Sequence, residues 1–286
     1  MDVSYPKTDA KEKGASSMTQ SEDSVSVFPL KTDVIGIGDR VVDAILKSLR
    51  QANLTLRHGD VLVITSKIVS YEQKRLVKLS DATPSKRAKE LAKKFSLKPE
   101  YVELVLREAD VIYGGADHVI LTLKDSMLVA NAGIDNKNSP DGWVALWPEN
   151  LENWVSRFRK DILQKTGVNV GALVIDSTCM PLRIGTMGIA LAVSGFKPIK
   201  DHRGETDLYG KPIVITQHAV AHNLAATAHL VIGEAVEQTP AALVRGAPLE
   251  MNDETYGGAD MVMPFDECFF AGALLDYFRE NNKKTC

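Results

Sequence analysis

Apolar and polar positions recur along the chain with two periods. Val41, Val42, Ile45, Leu46 and Leu49 are spaced three and four apart, which predicts an amphipathic helix. Short apolar runs at Val61–Thr65 and Val170–Ile175, rich in β-branched residues, predict buried strands. Val119–Leu123 and Met127–Ala130, joined by Lys124-Asp125-Ser126, predict a hairpin. Further helices are predicted over Lys86–Phe95, from Pro99 through Arg107, over Leu151–Lys165 and over the alanine-rich stretch Ala219–Ile232. Order starts at Val25–Leu30, an apolar run broken by Pro29. Ile189–Val193 is another apolar segment, Ile213–Thr216 a strand, and Phe269–Phe278 a terminal helix. Strands and helices mix without regular βαβ alternation, so the expected class is α+β, with mixed sheets.

Residues 1–24 are polar and aperiodic, and predict a disordered tail that cannot bury enough apolar surface to offset its ordering entropy. A domain over 25–247 and a less patterned C-terminal extension over 248–286 complete the expected organisation. Composition narrows the function classes. With 34 Lys+Arg against 37 Asp+Glu, a net charge of −3, the chain lacks the basic excess that binds duplex phosphates. No window approaches the roughly 18 apolar residues of a membrane span. Three widely spaced cysteines form neither a disulfide framework nor a zinc motif, and no signal-peptide pattern opens the chain. These features predict a cytoplasmic protein with no nucleic-acid or membrane partner.

Chemistry-bearing residues gather in three loops. Asn131–Asn138 follows a predicted strand and carries Asp135, an oxygen donor suited to Mg²⁺ or Mn²⁺, and Asn138, a donor for phosphate or sugar oxygens. The alternative is a turn whose side chains satisfy only their own backbone. Asp176-Ser177-Thr178 follows the second buried strand, with Arg183 and Gly185 close behind. A carboxylate at a strand end suits a metal, an Arg fork suits phosphate, and Gly lets backbone approach a ligand. The alternative there is a helix N-cap. The third loop, Asp201–Gly210, reads as a mobile hairpin tip or a ligand surface. His218 and His222 stand four apart, but Ala219 occupies the place where a metalloprotease motif needs Glu, so they read as partly exposed helical histidines.

Together these segments stop being weak. The order GDVLVITSKIVS, LSDATPS, ANAGID.KN, IDST…R.G, D.RG..D.YG and VRG resembles the coenzyme F420:L-glutamate ligase family over about residues 27–247. The resemblance implies a family-specific α+β fold, an intertwined homodimer, and GTP-dependent (or ATP-dependent) γ-glutamyl ligation through an acyl phosphate. L-Glutamate and a cofactor-type acceptor would be the substrates. Divalent Mg²⁺ or Mn²⁺ would assist, with K⁺ a further candidate. Mapped by motif, the metal ligands would be Asp135, Asp176, Ser177 and Gln217. Asp135, Asp176 and Arg183 are the candidate catalytic residues, and Ser66, Lys67, Asn138 and Gly185 the candidate nucleotide-binding ones.

The chain also departs from the family. Tyr71 stands where many members carry a nucleotide-binding Lys, and Gly185-Thr186-Met187-Gly188 replaces GQTD. These departures resemble a branch thought to act in folate metabolism, so the acceptor is the F420 precursor or folate. A relative that binds nucleotide without turnover is the reading from another class; Tyr71 favours it, whereas Asp135, Asp176 and Gln217 oppose it. If the strand runs on past Thr65, side-chain alternation puts Lys67 and Tyr71 on one side and Lys74 on the other.

Overall fold

A computed structural model describes residues 24–274. The predicted tail lies outside the described residues except for Ser24. In chain order the elements are β1 (Ser26–Leu30), α1 (Val41–Gln51), β2 (Val61–Thr65), α2 (Ser66–Glu72), β3 (Leu76–Lys78), α3 (Lys86–Lys94), α4 (Pro99–Glu108), β4 (Val111–Ala116), β5 (Val119–Lys124) and β6 (Met127–Ala130). There follow β7 (Trp143–Ala145), α5 (Leu151–Thr166), β8 (Gly171–Cys179), β9 (Thr186–Phe196), β10 (Lys200–Asp201), β11 (Gln217–His218), α6 (Val220–Ile232), β12 (Ala241–Arg245) and β13 (Met251–Tyr256). The α+β class holds.

The main sheet has six strands in the order β1-β12-β2-β8-β9-β13. Its β2–β8 pair is parallel and its other pairs are antiparallel. Both faces are covered, which explains the unbroken apolar runs. Period-two alternation splits β2: Leu62 and Ile64 pack with α1 and α5, while Val61 and Val63 pack on the other face with α6. Pro29 fits because β1 is an edge strand, where a missing N–H costs no ladder bond. β13, from the expected C-terminal extension, forms the opposite edge by pairing with β9.

A smaller unit sits beside one end of this sheet. α3 and α4 pack with the β4-β5-β6 sheet and the β3–β7 pair around a separate core that includes Phe95, Tyr101, Val105, Ile120 and Val144. The Ser85 hydroxyl caps α3 by accepting from the Ala88 N–H, and Pro99 opens α4 where its missing N–H is harmless.

Several expectations need correction. Residues 66–72 form a helix, not a continuing strand. β8 runs through Asp176-Ser177-Thr178 to Cys179, because β9 pairs with it that far. No strand forms at Ile213–Thr216; Val214 and Ile215 are 72% and 85% exposed, so nothing rewards extending this segment. Short β3, β4 and β7 were not foreseen; β4 contains Gly114-Gly115 and β7 has only three residues, too short to show a period. The terminal helix occupies residues 269–274, and the remainder of that expectation lies outside the described residues. His218 belongs to β11 and only His222 to α6, so the two do not share a helical face. Among the described residues no helix is long and apolar enough to cross a membrane.

Candidate functional site

Strands β2 and β8 run parallel, and β2 ends at Thr65, level with Ile175, beyond which β8 continues in pairing with β9. In sheets with parallel strands, ligands collect outside such carboxyl ends. Here the next residues are Ser66, which begins α2, and Asp176. The Ser66 hydroxyl donates to Asp176 Oδ2 at 2.9 Å, and the Ser177 N–H donates to Oδ1 at 2.7 Å.

Asp135 reaches the same place from the smaller unit on an unusual loop. Asn131, Ala132 and Gly133 have successive φ values of +51°, +54° and +68°. This costly left-handed run is held by its surroundings. Asn131 Oδ1 accepts from the Ile120 N–H, and Thr122 Oγ1 accepts from the Ala132 N–H. A Cβ on Gly133 would lie 2.0 Å from Trp147 Cε3, and Trp147 is itself fixed by its indole N–H to Asp125. The Tyr101 hydroxyl donates to the Ile134 carbonyl at 2.7 Å, and burial pushes its phenol pKa up. The backbone of Asp135 then exchanges both hydrogen bonds with Ala145. Its position is therefore set from four directions.

α2 supplies the cation. Lys67 Nζ lies 2.7 Å from Asp135 Oδ2 and donates to the Lys137 carbonyl at 2.7 Å. Tyr71, one helical turn on, donates from its hydroxyl to the Asn138 carbonyl at 3.2 Å, and Asn138 Nδ2 donates to Ala235 O at 2.7 Å. Lys67 and Tyr71 thus share a side because of the helical period, not strand alternation. Lys74 turns back with φ +59° and lays its side chain against Gly38, away from this group.

These residues line a cavity of about 740 Å³, closed on another side by residues 232–240. Burial raises the Asp176 pKa to about 6; the nearby Asp135 charge pushes the same way, while the Ser177 N–H, the Ser66 hydroxyl and Lys67 oppose it. At the rim, Glu234 accepts from Thr186 Oγ1 at 2.6 Å and meets His229 Nε2 at 2.9 Å. Tyr101, Trp147, His229 and Glu234 were not foreseen as lining residues. Gly233 marks the end of α6, but no spacing in the sequence ties the loop after it to Asp135.

Of the residues singled out from sequence, Ser66, Lys67, Asp135, Asn138, Asp176 and Ser177 all line the cavity. Three others do not. Arg183 and Gly185 sit on the exposed β8–β9 turn, and the exposed Gln217 lies on the β10–β11 ribbon, where its Nε2 donates to Asp201 Oδ2 at 3.4 Å. His222 is half-buried on α6, accepts from the Ala190 N–H and has its pKa lowered by burial. Among the described residues no group of three or more His, Cys, Asp or Glu side chains is arranged to hold a metal ion.

Residues 29–246 match the family described as F420-0:gamma-glutamyl ligase. The chain belongs to that family. The matched span contains every cavity residue named above. Among curated relatives, the coenzyme F420:L-glutamate ligase of Methanopyrus kandleri is 37% identical over 215 residues, covering 75% of this chain and 83% of its own. That of Methanocaldococcus jannaschii is 34% identical over 248 residues, 84% of this chain and 97% of its own. That of Archaeoglobus fulgidus is 34% identical over 223 residues, 78% and 88% respectively.

Proposed function

We propose that this protein is a nucleotide-dependent γ-glutamyl ligase that joins L-glutamate to a carboxylate of an F420-0-type acceptor. The observation that carries this reading is the convergence of Asp135, Asp176, Ser66 and Lys67 where β2 ends beside the parallel strand β8, inside the span that matches the family. In the proposed reaction an acceptor carboxylate oxygen attacks the γ-phosphorus of GTP or ATP, giving an acyl phosphate and the nucleoside diphosphate. The amine of L-glutamate attacks the acyl carbon, phosphate leaves, and the nitrogen loses a proton to give the amide. The chain's part is positioning and charge. Lys67 would bind phosphate oxygens as a point charge, and Asn138 would donate to phosphate or sugar.

The donor set fits Mg²⁺ or Mn²⁺. Such ions are held by one or two carboxylates together with substrate phosphates and water, and Asp135, Asp176 and the Ser177 oxygen are hard donors on one wall of the cavity. A bound divalent ion would neutralise charge on the transferring phosphoryl group. It would also relieve the repulsion between Asp135 and Asp176.

Gln217, Arg183 and Gly185 enter this proposal through a homodimer. They lie on two exposed segments, residues 180–185 and 200–218, which flank the buried strand β9 and whose Leu182, Ile184, Leu208, Tyr209 and Ile215 are almost fully exposed. Apolar exposure on this scale marks an interaction surface, and a second copy of the chain, intertwined through these segments, would cover it. Folate is the second acceptor reading, favoured by Tyr71 and by Gly185-Thr186-Met187-Gly188. Incubating the protein with GTP or ATP, Mg²⁺ or Mn²⁺, glutamate and each acceptor, followed by mass spectrometry, tests all of this. The expected result is one or more increments of a glutamyl residue on one acceptor. Nucleotide binding with no product from either acceptor would instead favour the non-catalytic relative.

A further inference from the structure

Asp135 has two carboxylate oxygens, and the fold has committed both. Oδ1 accepts from the Lys137 N–H at 2.7 Å, a bond internal to its own turn. Oδ2 lies outside that turn, and Lys67 Nζ sits 2.7 Å from it. The same ammonium donates to the Lys137 carbonyl, so it is anchored twice on the 135–137 segment while its flexible stem belongs to α2. Asp176, the neighbouring carboxylate, has no ion-pair partner among the described residues and accepts there from a hydroxyl and an N–H. Among the described residues, Lys67 is the cation that pairs with Asp135 and also acts on Asp176.

We infer that Lys67 is a resident counter-cation at the Asp135–Asp176 pair, one that suppresses divalent-ion binding until nucleotide phosphates draw the ammonium away. This rests on the metal reading given above and adds to it an order and a coupling. The ammonium and the divalent ion compete for the same oxygen, Asp135 Oδ2. Phosphate is a better partner for the ammonium than a backbone carbonyl, because it is charged. Moving Lys67 to the phosphates therefore releases Oδ2 when the nucleotide arrives. Binding of metal and of nucleotide is then mutually favourable, and by reciprocity each raises the affinity for the other by one factor. The side chains of Lys67 and Asp135 are 25% and 40% exposed, which leaves room for the stem to swing without unpacking α2.

The test uses the full chain without nucleotide, and Mn²⁺ alone as the probe, with free Mn²⁺ read by electron paramagnetic resonance. Wild type should bind Mn²⁺ weakly. Lys67→Met, which keeps the aliphatic stem and removes the charge, should bind it at least about tenfold more tightly, equivalent to roughly 1.4 kcal/mol. Lys67→Arg, which keeps the charge, should behave as wild type. Adding Asp135→Asn to Lys67→Met should abolish the gain. Unchanged or weaker binding in Lys67→Met, with Asp135→Asn still weakening wild type, overturns the counter-cation role and leaves the metal reading standing. Indifference to Asp135→Asn in both backgrounds overturns the two together.

Discussion

Where β2 ends beside β8, motif residues find partners within their own chain: Ser66 holds Asp176, Lys67 holds Asp135, and Tyr71 and Asn138 tie α2 to the loop that closes the cavity. In the exposed segments 180–185 and 200–218, Arg183, Gly185 and Gln217 do not line that cavity and stand among some of the most exposed apolar side chains of the molecule. The first region is built on strands buried on both faces; the second consists of the β8–β9 turn and a two-stranded ribbon with its loops, on either side of the buried strand β9. Motif residues that belong to one family pattern are thus not all gathered in one cavity of the folded chain, and the second region is the surface that the proposed homodimer would cover.

The comparison is broken most severely by changing the floor of the cavity. Asp176→Asn keeps shape and removes charge, so it should lower ligase turnover by about a thousandfold, within the range for losing an electrostatic contributor to phosphoryl transfer. Circular dichroism should show an unchanged fold. Turnover within threefold of wild type would remove Asp176 from the chemistry.

Next in size are the exposed segments. Replacing Leu182, Ile184, Leu208 and Ile215 together with Ser should shift a dimer to monomer in light scattering. Because Gln217 would then be lost from its place in the assembled site, turnover should fall about a hundredfold, equivalent to roughly 2.7 kcal/mol. Nucleotide affinity at the cavity should change much less. A wild-type monomer at micromolar concentration would sink this reading.

A smaller effect separates two lysines. At saturating Mg²⁺, Lys67→Ala should raise the nucleotide dissociation constant about tenfold, equivalent to roughly 1.4 kcal/mol, and Lys74→Ala should leave it nearly unchanged. The helical turn at 66–72 supports that ranking on grounds the sequence did not offer. The run Ser66–Glu72 follows a buried strand with no break and contains two β-branched residues, Ile68 and Val69, so its pattern leaves a continuing strand open. Packing of Ile68 and Val69 into the core between α1 and the sheet decides for helix. Amphipathic helices such as α1 and buried strands such as β2 were legible because one period served one core. The strand-end expectation needs adjustment: Asp176 follows the apolar run but lies within β8, paired with Ile189, and Asp135 lies past β6 in a bridge to Ala145. What sequence could not show is the convergence itself. It depends on the parallel β2–β8 pairing across 110 residues and on a loop with three consecutive left-handed residues, one of them Ala132.

A titration sharpens the electrostatics of the first region. Asp176 has its folded pKa raised to about 6, so the folded protein holds its proton more tightly than the unfolded chain does. The associated stability is present at low pH and is lost as pH rises through the folded value. Between pH 5 and pH 7.5 the metal-free protein should lose about 1 kcal/mol relative to Asp176→Asn. Urea denaturation of the pair at the two pH values measures this difference. Equal changes in both proteins would mean that the Asp176 carboxylate is better solvated than its place in the cavity suggests.

The smallest effect is expected at Ala132, beside one of the largest steric constraints. Gly133→Ala would drive a methyl to within 2.0 Å of the Trp147 ring, so it should cost more than about 3 kcal/mol through overpacking and a φ of +68°. Ala132→Gly, one residue earlier, sets three terms against each other. Relief of the left-handed strain at φ +54° gains about 1 kcal/mol. Loss of a fully buried methyl costs about 0.8 kcal/mol. The extra freedom of Gly in the unfolded chain costs about 0.4 to 1 kcal/mol more. The net should be a destabilisation below about 1 kcal/mol, visible as a small fall in the urea midpoint with an unchanged slope. The loop is held by Asn131, Thr122 and Tyr101 through bonds that do not involve the Ala132 methyl, so Asp135 should stay in place and Mn²⁺ affinity should not change. A marked loss of Mn²⁺ affinity with stability preserved would show that the methyl, rather than those hydrogen bonds, aims Asp135 into the cavity.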